Sequence, residues 1–179
     1  MKYLASLLVA LTLACPALAD DLKFGIGGGA TFTSLGVVFG SDFKTGWNVT
    51  GRALWFPSGF FLGVRGAGYY GQSPPAEAYF LGVSSKNATL AGGDLDLAIR
   101  LVGKGAGGLY LDLGIGVRSF RQEVENSPTG GWTFSDTSVS YNGGLGFSSG
   151  WFFAEANLVY FRVQNSDFVS IPLTVGFQF

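Results

Sequence analysis

The sequence predicts an all-β fold: an eight-stranded antiparallel up-and-down transmembrane β-barrel. Three observations lead there. Apolar and polar residues alternate at period two in eight segments, and successive side chains of a pleated strand leave on opposite sides. The connections between the segments are alternately short and long. Charged residues make up 13% of the chain, against about 25% in soluble domains, and a wall that faces lipid has little use for charge.

Residues 1–19 read as an export signal outside the fold. Lys2 is its positive n-region, Leu4–Ala14 its apolar h-region, and Ala17-Leu18-Ala19 before Asp20 an A-x-A cleavage site. The apolar run falls short of the ~20 residues that a spanning helix needs. Cys15, the single cysteine, lies inside this segment. A lipoprotein would lipidate it, but Thr12-Leu13-Ala14 is a poor lipobox and Pro16 follows, so cleavage at A-x-A is the preferred reading. The barrel domain is then expected over 20–179, with no thiol chemistry or disulfide. Without Lys2, ten basic and twelve acidic residues remain, a balance that argues against nucleic acid as a partner.

The segments fall at about 22–32, 47–56, 60–70, 89–102, 109–120, 137–147, 151–161 and 168–179. In the first, Leu22, Phe24, Ile26, Ala30 and Phe32 share one face, and Lys23, Gly25, Gly27, Gly29 and Thr31 the other. In the fifth, Leu109, Leu111, Leu113, Ile115 and Val117 oppose Tyr110, Asp112, Gly114, Gly116 and Arg118. Residues 57–59 (Pro-Ser-Gly), 103–108 and 148–150 are short turns, since Pro presets φ and Gly permits positive φ. Loops are expected over 33–46, 71–88 and 121–136. The apolar clusters Tyr79-Phe80-Leu81 and Trp132-Thr133-Phe134 within them read either as binding surfaces or, preferably, as strand continued above a membrane. Aromatics gather at both strand ends, as rings at headgroup depth do. Trp55-Phe56, Phe60-Phe61, Trp151-Phe152-Phe153, Phe177 and Phe179 lie on the turn side. Trp47, Tyr69-Tyr70, Phe120, Trp132, Tyr160-Phe161 and Phe168 lie on the loop side.

Alternation alone also fits a soluble barrel with its apolar face inward. Composition decides for the inverted arrangement, because the polar face is mostly Gly, Ser, Asn and Thr and, apart from Lys23 at the very start of the first segment, carries only eight charges. These are Arg52, Arg65, Arg100 and Arg118 with Asp94, Asp96, Asp112 and Glu155. Four of each sign suggest mutual neutralisation in a confined lumen, where unpaired charge is costly. A hairpin register in which paired numbers sum to 212 sets Arg100 against Asp112 and Asp94 against Arg118. Eight strands leave an interior just wide enough for side chains to fill, so a plugged lumen is preferred to a gated conduit.

The last segment closes the barrel against the first, leaving no open edge. Pro172 within it lacks a ladder donor and predicts a bulge or a missing bond. With the export signal, the eight segments and the closing Ile171-Pro172-Leu173-Thr174-Val175-Gly176-Phe177-Gln178-Phe179, the chain resembles the small eight-stranded outer-membrane barrels, the OmpA-, OmpX- and OmpW-like group. That resemblance implies a monomer in outer-membrane lipid, with short periplasmic turns and extracellular loops. It also implies that Phe177 and Phe179 act as a signal to the barrel-assembly machinery.

No catalytic, cofactor or metal site is expected. The chain has no histidine, which removes His-dependent hydrolases and most transition-metal sites. Glu123, Glu125 and Asp136 lack calcium-loop spacing and read as a solvated acidic loop. Gly25-Ile26-Gly27-Gly28-Gly29 has no helix after it and is a curved strand rather than a dinucleotide fingerprint. Asn48-Val49-Thr50 and Asn87-Ala88-Thr89 match glycosylation sequons and carry little weight. The expected function is a non-enzymatic one, a structural envelope role with exposed loops; a narrow channel for small or hydrophobic solutes and an adhesin stand as alternatives.

Overall fold

A computed structural model describes residues 22–35, 44–73, 84–104, 106–125, 132–163 and 166–179. The strands are β1 (Leu22–Leu35), β2 (Lys44–Trp55), β3 (Leu62–Ser73), β4 (Ser84–Val102), β5 (Gly108–Glu125), β6 (Trp132–Ser149), β7 (Phe152–Val163) and β8 (Ser166–Gln178). They pair in sequence order, all antiparallel, and β8 returns to β1 to close the barrel. The seam runs from Leu35 opposite Phe168 to Gly25 opposite Gln178, and a reciprocal backbone pair joins Phe24 to Phe179. Closure gives every strand a neighbour on both sides, so the sheet has no free edge strand. The 57–59 turn is held by Phe60 N donating to Pro57 O at 3.0 Å, with Gly59 at φ 79°.

The barrel is apolar outside. Ile26, Leu95 and Ile115 are 59%, 63% and 60% exposed, and Phe24, Val49, Leu113, Val117, Val139, Leu158 and Val175 continue the band around the wall. Soluble monomers rarely leave contiguous apolar patches beyond a few hundred Å². The interior is layered. At the turn end Leu54, Phe56, Ala98, Ala106 and Tyr110 form one apolar cluster. At the loop end Tyr69, Ala88, Leu90, Phe120, Val159, Phe161, Val163 and Phe168 form another. The charged side chains lie between.

Several expectations need revision. The aromatics at the strand ends do not all face outward: Phe56 and Phe153 at one end, and Tyr69, Phe120, Phe161 and Phe168 at the other, are buried. Strand parity places them inside, where they close the lumen. Trp47, Tyr70, Phe60, Phe61, Trp151 and Phe177 do remain exposed.

The loops are also shorter than expected, because β4, β5 and β6 run to 19, 18 and 18 residues. Trp132-Thr133-Phe134 is strand, paired with Val124, Glu123 and Gln122 of β5 respectively. Tyr79-Phe80-Leu81 lies outside the described residues. Glu123 pairs with Thr133 and Asp136 with Phe120. Three positions apart along β5, Glu123 and Phe120 face opposite sides, so the acidic residues are not gathered.

In the body of β4 and β5, paired numbers differ from the expected register by two: Asp94 faces Gly116, and Arg100 faces Tyr110. A bulge at Leu101, between the Arg100 and Val102 pairings, accounts for part of the offset. A shift of two keeps every side chain on its face. Opposite Pro172 the β7–β8 ladder lapses between the Ala156–Leu173 and Val159–Ser170 pairs and resumes in the same register. The missing donor thus costs ladder bonds without producing a bulge.

Candidate functional site

All eight charges singled out in the sequence point into the lumen, and their pairing follows reach rather than direct opposition. Arg118 Nη2 donates to Asp94 Oδ2 at 2.6 Å, a diagonal pair made possible by glycine. Asp94 lies over Gly116 across the ladder, and Arg118 lies over Gly92. The same device recurs: the Asp96 carboxylate fills the space over Gly114, Asn157 Oδ1 that over Gly144, and the Tyr110 ring that over Gly146. Inward glycines are the sockets into which the neighbouring strand's polar side chains fit.

Glu155 is the hub. Its Oε2 accepts from Arg65 Nη2 at 2.7 Å, and its Oε1 from Arg65 Nε at 3.0 Å and from the Tyr110 hydroxyl at 2.5 Å. Arg52 Nη1 donates to both Glu155 and Tyr110. The remaining Arg65 nitrogen, Nη1, donates to Asp96, whose other oxygen accepts from Asn142 Nδ2 at 2.6 Å. Arg52, Arg65, Asp96 and Glu155 are all buried. Charge-assisted hydrogen bonds of this kind offset the loss of hydration that burial imposes.

Two charges stand apart from this network. Arg100, expected opposite Asp112, instead lays its guanidinium 4.3 Å from the centre of the Phe56 ring. Asp112 is 0% exposed, and neither of its oxygens has a hydrogen-bond partner among the described residues.

The sequence reading missed several participants. Gln178 joins the network to the closing turn: its Oε1 accepts from Arg52 Nη2 at 2.6 Å and from Ser148 Oγ at 2.9 Å, and its Nε2 donates to Gly150 O at 2.8 Å. Asn48 clamps the seam, donating to Thr31 Oγ1 at 3.0 Å and accepting from Thr174 Oγ1 at 3.0 Å; its sequon is therefore internal. The only signal for these residues was their parity on the polar face. Phe177 stacks on Trp151 at 5.3 Å, and Phe179 is 78% exposed.

Among the described residues, shallow exterior grooves lie over small residues. One, of about 450 Å³, lies over Ala30, Ala154 and Ala156 between Leu145, Leu173 and Val175. Another, of about 430 Å³, lies over Gly143 and Gly144 between Leu113 and Leu158.

No protein-family model matches the chain, and no curated protein matches its sequence. Solved structures do. Ail, the attachment invasion locus protein of Yersinia pestis, superposes with a TM-score of 0.66 at 16% identity, over 89% of this chain and 99% of that one. Neisserial surface protein A gives 0.54 at 12% identity, over 88% and 96%. The N-terminal β-barrel domain of Pseudomonas aeruginosa OprF gives 0.54 at 19% identity, over 88% and 97%. At these identities the likeness is one of architecture, down to the strand count and the closed antiparallel order. This chain has the fold of the small eight-stranded outer-membrane barrels.

Proposed function

We propose that the protein is a non-enzymatic integral barrel of the bacterial outer membrane, sealed along its axis, with a structural role in the envelope. The observation that carries this reading is the inverted wall combined with a filled interior. The apolar band matches lipid, while the Glu155 network sits between two apolar layers. Ions would have to break buried ion pairs to pass, a cost of several kcal/mol per charge. The absence of histidine from the sequence and the structural use of most of the carboxylates support a non-catalytic role.

The part offered to the exterior is an extension of three strands. β6 pairs with β5 from Trp132 onward, whereas β7 ends at Val163, level with Ser138 in the β6–β7 register, so residues 132–137 of β6 continue past the β7 wall. At about 3.3 Å per residue this is roughly 20 Å of sheet. It is the surface through which the barrel would meet anything outside the cell.

Two measurements test the proposal. Cysteine labelling tests location and orientation, because the chain after the export signal has no cysteine. Ser135→Cys, on the extension, is expected to react with a membrane-impermeant maleimide on intact cells. Ser58→Cys, in the 57–59 turn, is expected to react only after the outer membrane is opened; the reverse pattern would invert the orientation. Planar-bilayer recording tests the seal: no stable unitary conductance is expected from the purified protein, and regular unitary steps would establish the channel alternative instead.

A further inference from the structure

We propose that the lumen contains a binding site for a monovalent hard cation, built from the carboxylate of Asp112 and the amide oxygens of Asn142 and Asn157. The argument begins with local charge. The central layer holds four carboxylates (Asp94, Asp96, Asp112 and Glu155) but only three guanidiniums, because Arg100 is drawn off to the Phe56 ring. The donors of Arg65 are spent on Glu155 and Asp96, those of Arg52 Nη1 and Nη2 on Glu155, Tyr110 and Gln178, and Nη2 of Arg118 on Asp94. Of the charges that act on Asp112, Arg65 attracts it while Glu155, Asp96 and Asp94 repel it. The layer is short of one positive charge, and the shortfall is at Asp112.

Coordination geometry points to the same place. Asp112, Gly144 and Asn157 stand in one row across β5, β6 and β7. Because Gly144 has no side chain, Asn157 Oδ1 leans across it toward β5, within 2.0 Å of the position a Cβ would take. Asn142 occupies the next inward position on β6, and its Nδ2 is committed to Asp96, which leaves Oδ1 unused. Both oxygens of Asp112, Oδ1 of Asn142 and Oδ1 of Asn157 are buried and have no hydrogen-bond partner among the described residues. All four are acceptors. A proton on Asp112 would turn one of them into a donor to a second and leave two unmet, and a water molecule would leave the charge. A single hard cation satisfies oxygen ligands together and supplies the missing unit of charge. With apolar layers at both ends, the ion would be taken up as the barrel folds.

The test compares barrels refolded into detergent from urea in sodium chloride and in N-methyl-D-glucamine chloride of equal ionic strength, whose cation is too large for the site. The wild-type urea midpoint is expected to rise saturably with sodium, and the rise is expected to vanish in Asp112→Asn. A wild-type midpoint identical in the two salts, or a full sodium response retained by Asp112→Asn, would overturn the proposal. If Asp112→Asn does not fold, Asn157→Ala, which keeps the carboxylate, is expected to need more sodium for the same rise; an unchanged sodium requirement would overturn the proposal equally.

Discussion

Glu155→Ala is expected to destabilise the folded barrel by about 3–5 kcal/mol, because it leaves buried charge without its partner. Glu155 receives Arg52, Arg65 and Tyr110 at one carboxylate, inside a lumen from which these side chains cannot reach water. Removing it strands two guanidiniums. Arg65 keeps Asp96, and Arg52 keeps only Gln178 and the Tyr110 hydroxyl. The loss measures that stranding and not the net worth of the ion pairs, since buried networks replaced whole by apolar residues are often no less stable. Glu155→Gln, which keeps an acceptor but drops the charge, is expected to fall between wild type and alanine. Urea unfolding of the detergent-folded protein gives the values by linear extrapolation. A loss below about 1 kcal/mol for alanine, the net worth of an ordinary hydrogen bond, would mean that the guanidiniums find other acceptors and that Glu155 is not the hub.

Most of the fold was legible in the sequence because period-two alternation is indifferent to register. Parity alone sent Arg52, Arg65, Asp96, Arg118 and Glu155 inward, and an error of two in the β4–β5 register left that untouched. Contacts are less legible than faces. An equal count of acids and bases says nothing about which side chain a given Arg can reach, and Arg100 prefers an aromatic ring to the carboxylate expected for it. Reach depends on the empty space over Gly92, Gly114 and Gly116, which a pairwise reading of opposed residues does not see. The extension of β4 to β6 failed for a different reason. Residues 84–87 and 135–136 hold no apolar side chain, so there is no alternation to follow there and they read as loop although they are strand. The aromatics were sorted by which end of the strand they occupied; sorting them by parity as well separates buried Phe153 from its outward neighbour Phe152.

If inward glycines are sockets, filling one should disturb the whole network, whereas filling an outward one should not. Gly146→Ala is expected to cost about 3 kcal/mol. The added Cβ would lie 2.1 Å from Cζ and 2.3 Å from the hydroxyl oxygen of Tyr110, a side chain that is 1% exposed. Overpacking of this kind costs about 1–3 kcal/mol. Moving the ring also pulls the Tyr110 hydroxyl from Glu155, a hydrogen bond to a charged group worth about 1.5–3 kcal/mol. Gly68→Ala is the control: it lies on the outer face of β3, and a Cβ there meets nothing within 4 Å. Its effect is expected to stay within about 0.5 kcal/mol, as for surface substitutions generally. Tyr110→Leu should relieve the clash in the Gly146→Ala background while losing the same hydroxyl, so the two single costs are expected to exceed the double by more than about 1 kcal/mol. Simple additivity would place Tyr110 away from the Gly146 socket, and with it would go the account of glycine as the residue that lets long polar side chains cross from one strand to the next.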